Sequence, residues 1–429
     1  MPFGETAALA IFVGAYVLIA TERIHRVAAA LGGAALMLLL QLTDGHAAFY
    51  SEHAGIDWNV IFLLLGMMVI VGVVKTTGLF EALAIHAAKR ARGRPYLLMA
   101  LLAVITAVAS ALLDNVTTML LIAPVTFLVC ERLALAVGPF LIAEVLASNT
   151  GGMATLIGDP PNIIIGSRAG LSFNDFLVHL APLAAVMTAI LVVMLRWLFP
   201  DAFHYDPDRA AEVMAMSERD AITDVPLLVR SVGVLVIVIA GFVLHPILHY
   251  EPSVVALLGA GLLLLISPVT VEDALVEVEW ATLVFFMALF VMVGALVETG
   301  SIDRFAQWLA DRTGGNLTAA AFAILLSSML LSGIVDNIPY VVTMAPVVSV
   351  LVAQHPAGQG DVLWWALAIG ADLGGNATAV GASANVVVLG MAARYGSPIS
   401  FWEFTRKGLV VVLVSAVVSS AYLWLRYLA

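Results

Sequence analysis

One cysteine, Cys130, occurs in 429 residues. That excludes a disulfide framework and a cysteine metal cluster. Charge is scarce too: 11% of residues are Asp, Glu, Lys or Arg, against about 25% in a soluble globular chain. The charge that exists is acidic, net −11, which argues against nucleic acid as a partner. No GxxxxGK[ST] stretch occurs, so no phosphate-binding loop points to an ATP-driven pump. Neither a nucleophile–base pair nor a metal triad stands out, and no cofactor is implied. The first apolar stretch, Phe3 to Ala20, lacks a basic start and a small-residue cleavage site, so it is expected to stay as a span.

What abounds is apolar sequence: 62% hydrophobic, with a mean hydropathy of +1.04. This is the composition of an all-α polytopic membrane protein, with the lipid bilayer as its partner. A helix needs roughly 20 apolar residues to span. Candidate spans lie at about 3–20, 27–42, 58–75 and 176–198, and again at 227–245, 252–267, 281–297 and 408–427. Amphipathic stretches follow the third span of each set, at 79–94 and 301–313. Between them and the last spans lie interrupted apolar segments: 96–130 and 139–167, then 316–353 and 363–390. A polar, acidic linker, 200–225, separates residues 1–199 from 226–429.

The two halves say the same thing twice. Asp114-Asn115 and Pro124 recur as Asp336-Asn337 and Pro346, 222 residues on (336 − 114). Gly151-Gly152, Thr155, Gly158 and Asn162 recur as Gly374-Gly375, Thr378, Gly381 and Asn385, 223 on (374 − 151). Matched, interrupted apolar segments are the sequence mark of a transporter with a midplane site. Each Asp-Asn segment leaves and returns on one side, as a re-entrant hairpin or a pair of crossings. Each half then crosses an odd number of times, and the repeats are inverted. The expected plan is five transmembrane helices, one broken, and one re-entrant hairpin per repeat. With both termini outside, 15 of the 19 Lys and Arg residues, Arg23, Arg26 and Lys75 among them, fall inside; Arg168, Arg304, Arg312 and Arg426 fall outside. That is the charge bias of a plasma (inner) membrane protein.

A carboxylate near the bilayer centre costs at least ~2.5 kcal/mol on insertion scales, so Asp114 and Asp336 need neutralisation, pairing or solvation. Asp-Asn also caps helices. Each doublet is therefore read as a hairpin tip whose second leg starts at Thr117 or Pro339, its free N–H groups facing the midplane. Such a helix start suits an anion; the carboxylates suit a cation or proton. The competing reading is a cap that only shapes the turn. In the second motif, Ser148, Asn149, Thr150, Thr155 and Asn162 accompany Gly151-Gly152 and Asp159-Pro160-Pro161. Its counterpart holds Asp372, Gly374, Gly375, Asn376, Thr378 and Asn385, with Asp372 at the place of Asn149. The paired glycines are expected to unwind the helix or admit a ligand to the backbone. Glu144 is a further candidate acid, or else a partner for a basic residue. Arg168 is read as the only basic residue near the motifs.

Leu113-Asp114-Asn115-Val116-Thr117-Thr118 and Gly158-Asp159-Pro160-Pro161-Asn162 resemble the ion transporter superfamily, in the branch of the arsenite efflux permease and the melanosomal P protein. The divalent anion:sodium symporters share the plan. The resemblance implies a dimerising scaffold and an elevator-like transport domain. It maps Asp114, Asn115 and Thr117 to the inner hairpin tip, Asp336 and Asn337 to the outer one. Symporter tips read Ser-Asn-Thr; an aspartate in place of that serine favours protons over sodium. The expected function is proton-coupled movement of a small anion or oxyacid, with arsenite or antimonite as the named guess. Alternatives are a sodium/proton antiporter with Na+ at Asp114/Asn115 and Asp336/Asn337, an organic-anion transporter, and a channel on the same fold.

Overall fold

A computed structural model describes residues 3–21, 24–51, 54–215 and 217–429. Arg23, counted above among the inside basic residues, lies outside them. The described residues fold as α-helices, and no strand occurs among them. Eighteen helices carry the architecture, nine in each half. The first nine are α1 (Phe3–Ala20), α2 (Arg26–Leu39), α3 (Trp58–Lys75), α4 (Leu79–Ala91), α5 (Pro95–Leu112), α6 (Asn115–Arg132), α7 (Val137–Gly152), α8 (Pro160–Ala169) and α9 (Ala181–Leu198). Their counterparts are α10 (Val225–Val243), α11 (Pro252–Ile266), α12 (Trp280–Glu298), α13 (Ser301–Thr313), α14 (Leu317–Val335), α15 (Asn337–Val352), α16 (Val362–Gly374), α17 (Ser383–Arg394) and α18 (Phe401–Leu423). Eight helices of the described residues are long and apolar enough to cross a membrane, α5, α6 and α14 among them.

The packing exchanges the halves. Helix α2 lies on α12, and α11 lies on α3; α6 lies on α17, and α15 lies on α8. Within each half α5 packs along α7, and α14 along α16. Each contact thus has a partner with the halves swapped, the signature of a two-fold relation. Helix α3 is buried over 72% of its length and α10 over only 28%, so α3 is central and α10 turns a wide apolar face outward.

Lipid offers no hydrophobic drive for helix pairing, so close approach rests on small residues. A Cβ on Gly151 would lie 2.1 Å from the Ala107 carbonyl oxygen, and one on Gly374 2.7 Å from the Met329 backbone. The expected unwinding does not begin at these positions. Helix α7 runs through Gly152 and α16 ends at Gly374. The missing side chain admits a neighbouring helix rather than a ligand. The break follows, where Gly152 abuts Gly158 and Gly375 abuts Gly381.

Four helix starts differ clearly from expectation, each for a local reason. The second hairpin legs start at Asn115 and Asn337 because the aspartate before each takes the cap. The span placed at 176–198 begins at Ala181: Phe173–His179 is a separate helix started by a Ser172–Asp175 capping box, and Pro182 favours a fresh helix start. The last helix begins at Phe401 because the Ser400 hydroxyl accepts from Glu403 N.

Gly151→Ala is expected to lower stability by about 1–3 kcal/mol through overpacking, read as a lower thermal midpoint of the detergent-solubilised protein. Gly14→Ala, with nothing within 4 Å of its Cβ, should leave that midpoint in place.

Candidate functional site

Each hairpin turn divides its labour between two residues. The aspartate serves the backbone. Asp114 Oδ1 accepts from Thr117 N at 2.8 Å and Oδ2 from the Thr117 hydroxyl at 2.5 Å; Asp336 Oδ1 accepts from Ile338 N at 3.2 Å. These bonds satisfy otherwise free N–H groups at the helix start. The asparagine is then the first helical residue, and its side chain points inward.

Both asparagines reach the same carboxylate. Asn115 Nδ2 donates to Asp159 Oδ2 at 2.8 Å, and Asn337 Nδ2 lies 3.3 Å from both Asp159 oxygens. Asn115 also donates to Asn149 Oδ1 at 3.2 Å. Asn149 Nδ2 passes the chain on, to Asn376 Oδ1 at 3.0 Å and Asn385 Oδ1 at 3.1 Å. One continuous polar network therefore joins residues of both halves. Asn115, Asn149, Asp159, Asn337, Asn376 and Asn385 are all buried.

Other expected site residues hold the frame instead. The Thr155 hydroxyl donates to the Ala111 carbonyl and Thr378 to the Gly333 carbonyl, fastening each break to the end of a hairpin leg. Asn385 Nδ2 bonds the Gly375 and Thr378 carbonyls, each at 2.8 Å, and Asn162 Nδ2 bonds those of Gly152, Met153 and Thr155. Ser148 donates to Ser110 Oγ and to the Asn115 carbonyl, and Thr150 to Leu146 O within its own helix. Thr118 is buried with its hydroxyl unpartnered.

Glu144 does not meet a basic residue. It is fully buried, Thr126 Oγ1 donates to its Oε1 at 2.6 Å, and Oε2 is unpartnered. Among the described residues no three His, Cys, Asp or Glu side chains converge to hold a metal ion.

The reading of Arg168 as the only nearby basic residue is overturned. Arg26, at the start of α2, donates from Nη1 to Ser383 Oγ at 2.6 Å and lies 3.5 Å from Asp336 Oδ2. Ser383 in turn donates to Asp336 Oδ2 at 2.9 Å. The guanidinium also covers the Phe285 ring, 5.4 Å from its centroid. A cavity of about 370 Å³ opens here, lined by Ile19, Arg26, Ile334, Asp336, Val380 and Ser383. Helix α17 starts at this cavity, and Ala382 before it offers no side-chain cap. A cation, a hydroxyl and a free helix start together suit an anion. In sequence Arg26 reads only as a flank of a span, because Asp336 and Ser383 lie more than 300 positions away. A larger cavity of about 620 Å³ lies between α9 and α18, lined by Trp197 and Trp402; no residue of either hairpin turn borders it.

Comparison with known proteins places these features in context. Residues 16–370 match the family described as CitMHS, citrate transporter. An uncharacterized transporter of Mycobacterium tuberculosis is 58% identical over 425 residues, 99% of each chain. The P protein of Homo sapiens is 34% identical over 497 aligned residues, covering 97% of this chain and 59% of that one. Among solved structures, the Alcanivorax borkumensis YdaH transporter superposes with a TM-score of 0.58 at 16% identity, over 91% of this chain and 88% of that one.

Just outside α12, Glu279 accepts from Thr282 Oγ1 at 3.0 Å. Burial pushes its carboxyl up from 4.5 to about 7, Asp114 adds to the rise, and Arg26 and Lys75 oppose it. The folded protein thus holds this proton more tightly than the unfolded chain does. Its stability therefore falls as pH rises from 4.5 to about 7. Glu279→Gln is expected to raise the thermal midpoint by several degrees at about pH 8 and to leave it unchanged at about pH 4, below both values.

Proposed function

The chain belongs to the CitMHS family of citrate transporters, in the ion transporter superfamily, and on that premise we propose that it is a secondary carrier moving a small anion by alternating access with protons as the coupling ion. The observation that carries this reading is the meeting of Asn115 and Asn337, from turns in different halves, on Asp159. A site shared between halves can be uncovered from one side or the other as the halves shift. The exchanged packing of α2 with α12 and α11 with α3 supports inverted repeats, and an elevator motion in a dimer of the plasma membrane is part of the same proposal.

Arg26 favours a charged organic anion over neutral arsenite. A fixed guanidinium with Ser383 and the start of α17 matches a carboxylate, whereas a neutral oxyacid needs no such partner. The tip carboxylates give sodium less support than protons. Asp114 is engaged by Thr117, and Asp336 by Ser383 and Arg26. The cavity lies beside Arg26, the basic end of α2, which the charge bias assigns to the inside. In this reading the inner face is the open one.

Citrate counterflow in proteoliposomes tests the proposal. Arg26→Gln should reduce it roughly 10- to 100-fold, the loss of one charged hydrogen bond of about 1.5–3 kcal/mol, with Arg26→Lys restoring part. Arsenite flux that is unaffected by Arg26→Gln, in vesicles showing no citrate flux, would overturn the organic-anion assignment. Flux with no counterflow and no response to a pH gradient would instead mark a channel.

A further inference from the structure

The two-fold relation is broken at one chemically decisive pair. Asn149 Nδ2 of the first half donates to Asn385 Oδ1 of the second at 3.1 Å. The matching pair in the other half is Asp372 and Asn162, since 372 − 149 and 385 − 162 are both 223. Asn385 spends its amide nitrogen on the Gly375 and Thr378 carbonyls, and Asn162 spends its own on those of Gly152, Met153 and Thr155. Both asparagines are thereby held with Oδ1 as the remaining group. Asn162 Oδ1 is buried and has no hydrogen-bond partner. The Asn162 side chain lies beside the Asp372 carboxyl without hydrogen-bond geometry.

Asp372 is fully buried, and neither of its oxygens has a partner. An amide donor in one half has thus become an unpartnered acceptor in the other, beside an Asn162 whose Oδ1 is also unpartnered. Three buried acceptor oxygens are left without a donor, Oδ1 of Asn162 and both of Asp372, and an unpaired buried carboxylate is the costliest case. One proton neutralises the charge and lets two of these oxygens pair, because a neutral carboxyl is a hydroxyl donor.

We infer that Asp372 and Asn162 form a proton site, in which the neutral Asp372 carboxyl donates to Asn162 Oδ1 as Asn149 donates to Asn385. That the proton travels with the anion rests in addition on the carrier reading above. The nearest acid is Asp159, which takes the amide donors of Asn115 and Asn337. Asp336 lies beyond it. On the helices packed against α16, Tyr340 of α15 bonds Ser328 and Glu144 of α7 is held by Thr126. Arg168 of α8 lies at the far end of its helix, and Glu403, Arg406 and Lys407 of α18 in its opening turns. No cation pairs with Asp372 among the described residues. The step balances simply: a proton enters from water on one side, protonates the carboxylate, and leaves as the same carboxylate is exposed to the other side.

Infrared spectroscopy of the purified protein in lipid reads the proton directly. Wild type at neutral pH should show a protonated-carboxyl carbonyl band that Asp372→Asn removes and Asp372→Glu retains. Because the matched position is already asparagine, Asp372→Asn should fold and keep its thermal midpoint. An unchanged band in Asp372→Asn overturns the proton site, as does a wild-type band that appears only on adding sodium-free acid. Transport separates the two levels of the claim. In vesicles where wild type shows citrate counterflow, a fall in the ratio of pH-gradient-driven uptake to counterflow in Asp372→Asn supports a coupling proton. Gradient-driven uptake that persists in Asp372→Asn overturns that role. Absence of any wild-type flux counts against the carrier reading and leaves the infrared result standing.

Discussion

Asp159 accepts hydrogen bonds from Asn115 and Asn337, which are 222 residues apart and belong to turns in different halves of the chain. A carboxylate this deeply buried is costly unless donors surround it. Here both hairpins supply them, so neither turn can leave without stripping the other's acceptor of a partner. Around that point everything else is arranged. The aspartates cap the turns, the caps free the asparagines to point inward, and Thr155 and Thr378 tie the broken helices to the hairpin legs. Glycines at 151 and 374 let those helices approach closely enough for such short side chains to meet.

The two-fold plan supplies the frame, and its violations supply the chemistry. Asp159 faces Ala382 across the relation, Asn149 faces Asp372, Met153 faces Asn376, and Pro160 faces Ser383. Each exchange alters donors, acceptors or charge at one place in an otherwise repeated scaffold. The shared acceptor therefore comes from one half alone. The Arg26–Ser383–Asp336 cluster has no like-for-like counterpart either, because Pro160 stands where Ser383 would.

Much of this was legible before any coordinates. Repeated Asp-Asn doublets and glycine pairs in apolar surroundings mark the helix ends by local chemistry alone, and helix ends are local events. The caps at Asp114 and Asp336 and the break after Gly152 follow from such signals. What escaped depends on which segments meet. Arg26 sits at a span's edge, where any basic residue would serve topology, and only folding brings Asp336 and Ser383 to it. Asp159 looks like one acid among several until two distant asparagines converge on it. The glycine pairs suggest an unwound helix, because the sequence does not tell whether a neighbour or a ligand fills the space beside them. Glu144 hid its partner for a related reason: Thr126 is a hydroxyl in an apolar helix, with nothing in its spacing to tie it to an acid 18 residues on.

The two turns also differ in backbone. Asp114 has an ordinary extended conformation, φ −80°, whereas Asp336 stands at φ +87°, a region that costs a residue with a side chain about 1–3 kcal/mol. Arg26 and Ser383 hold it there through its carboxylate. An anion arriving in the cavity competes for the same guanidinium and hydroxyl, and by drawing them off would slip the catch on a wound spring. On the proposed function, anion binding and loosening of the second turn would be one event, on the side where Arg26 stands.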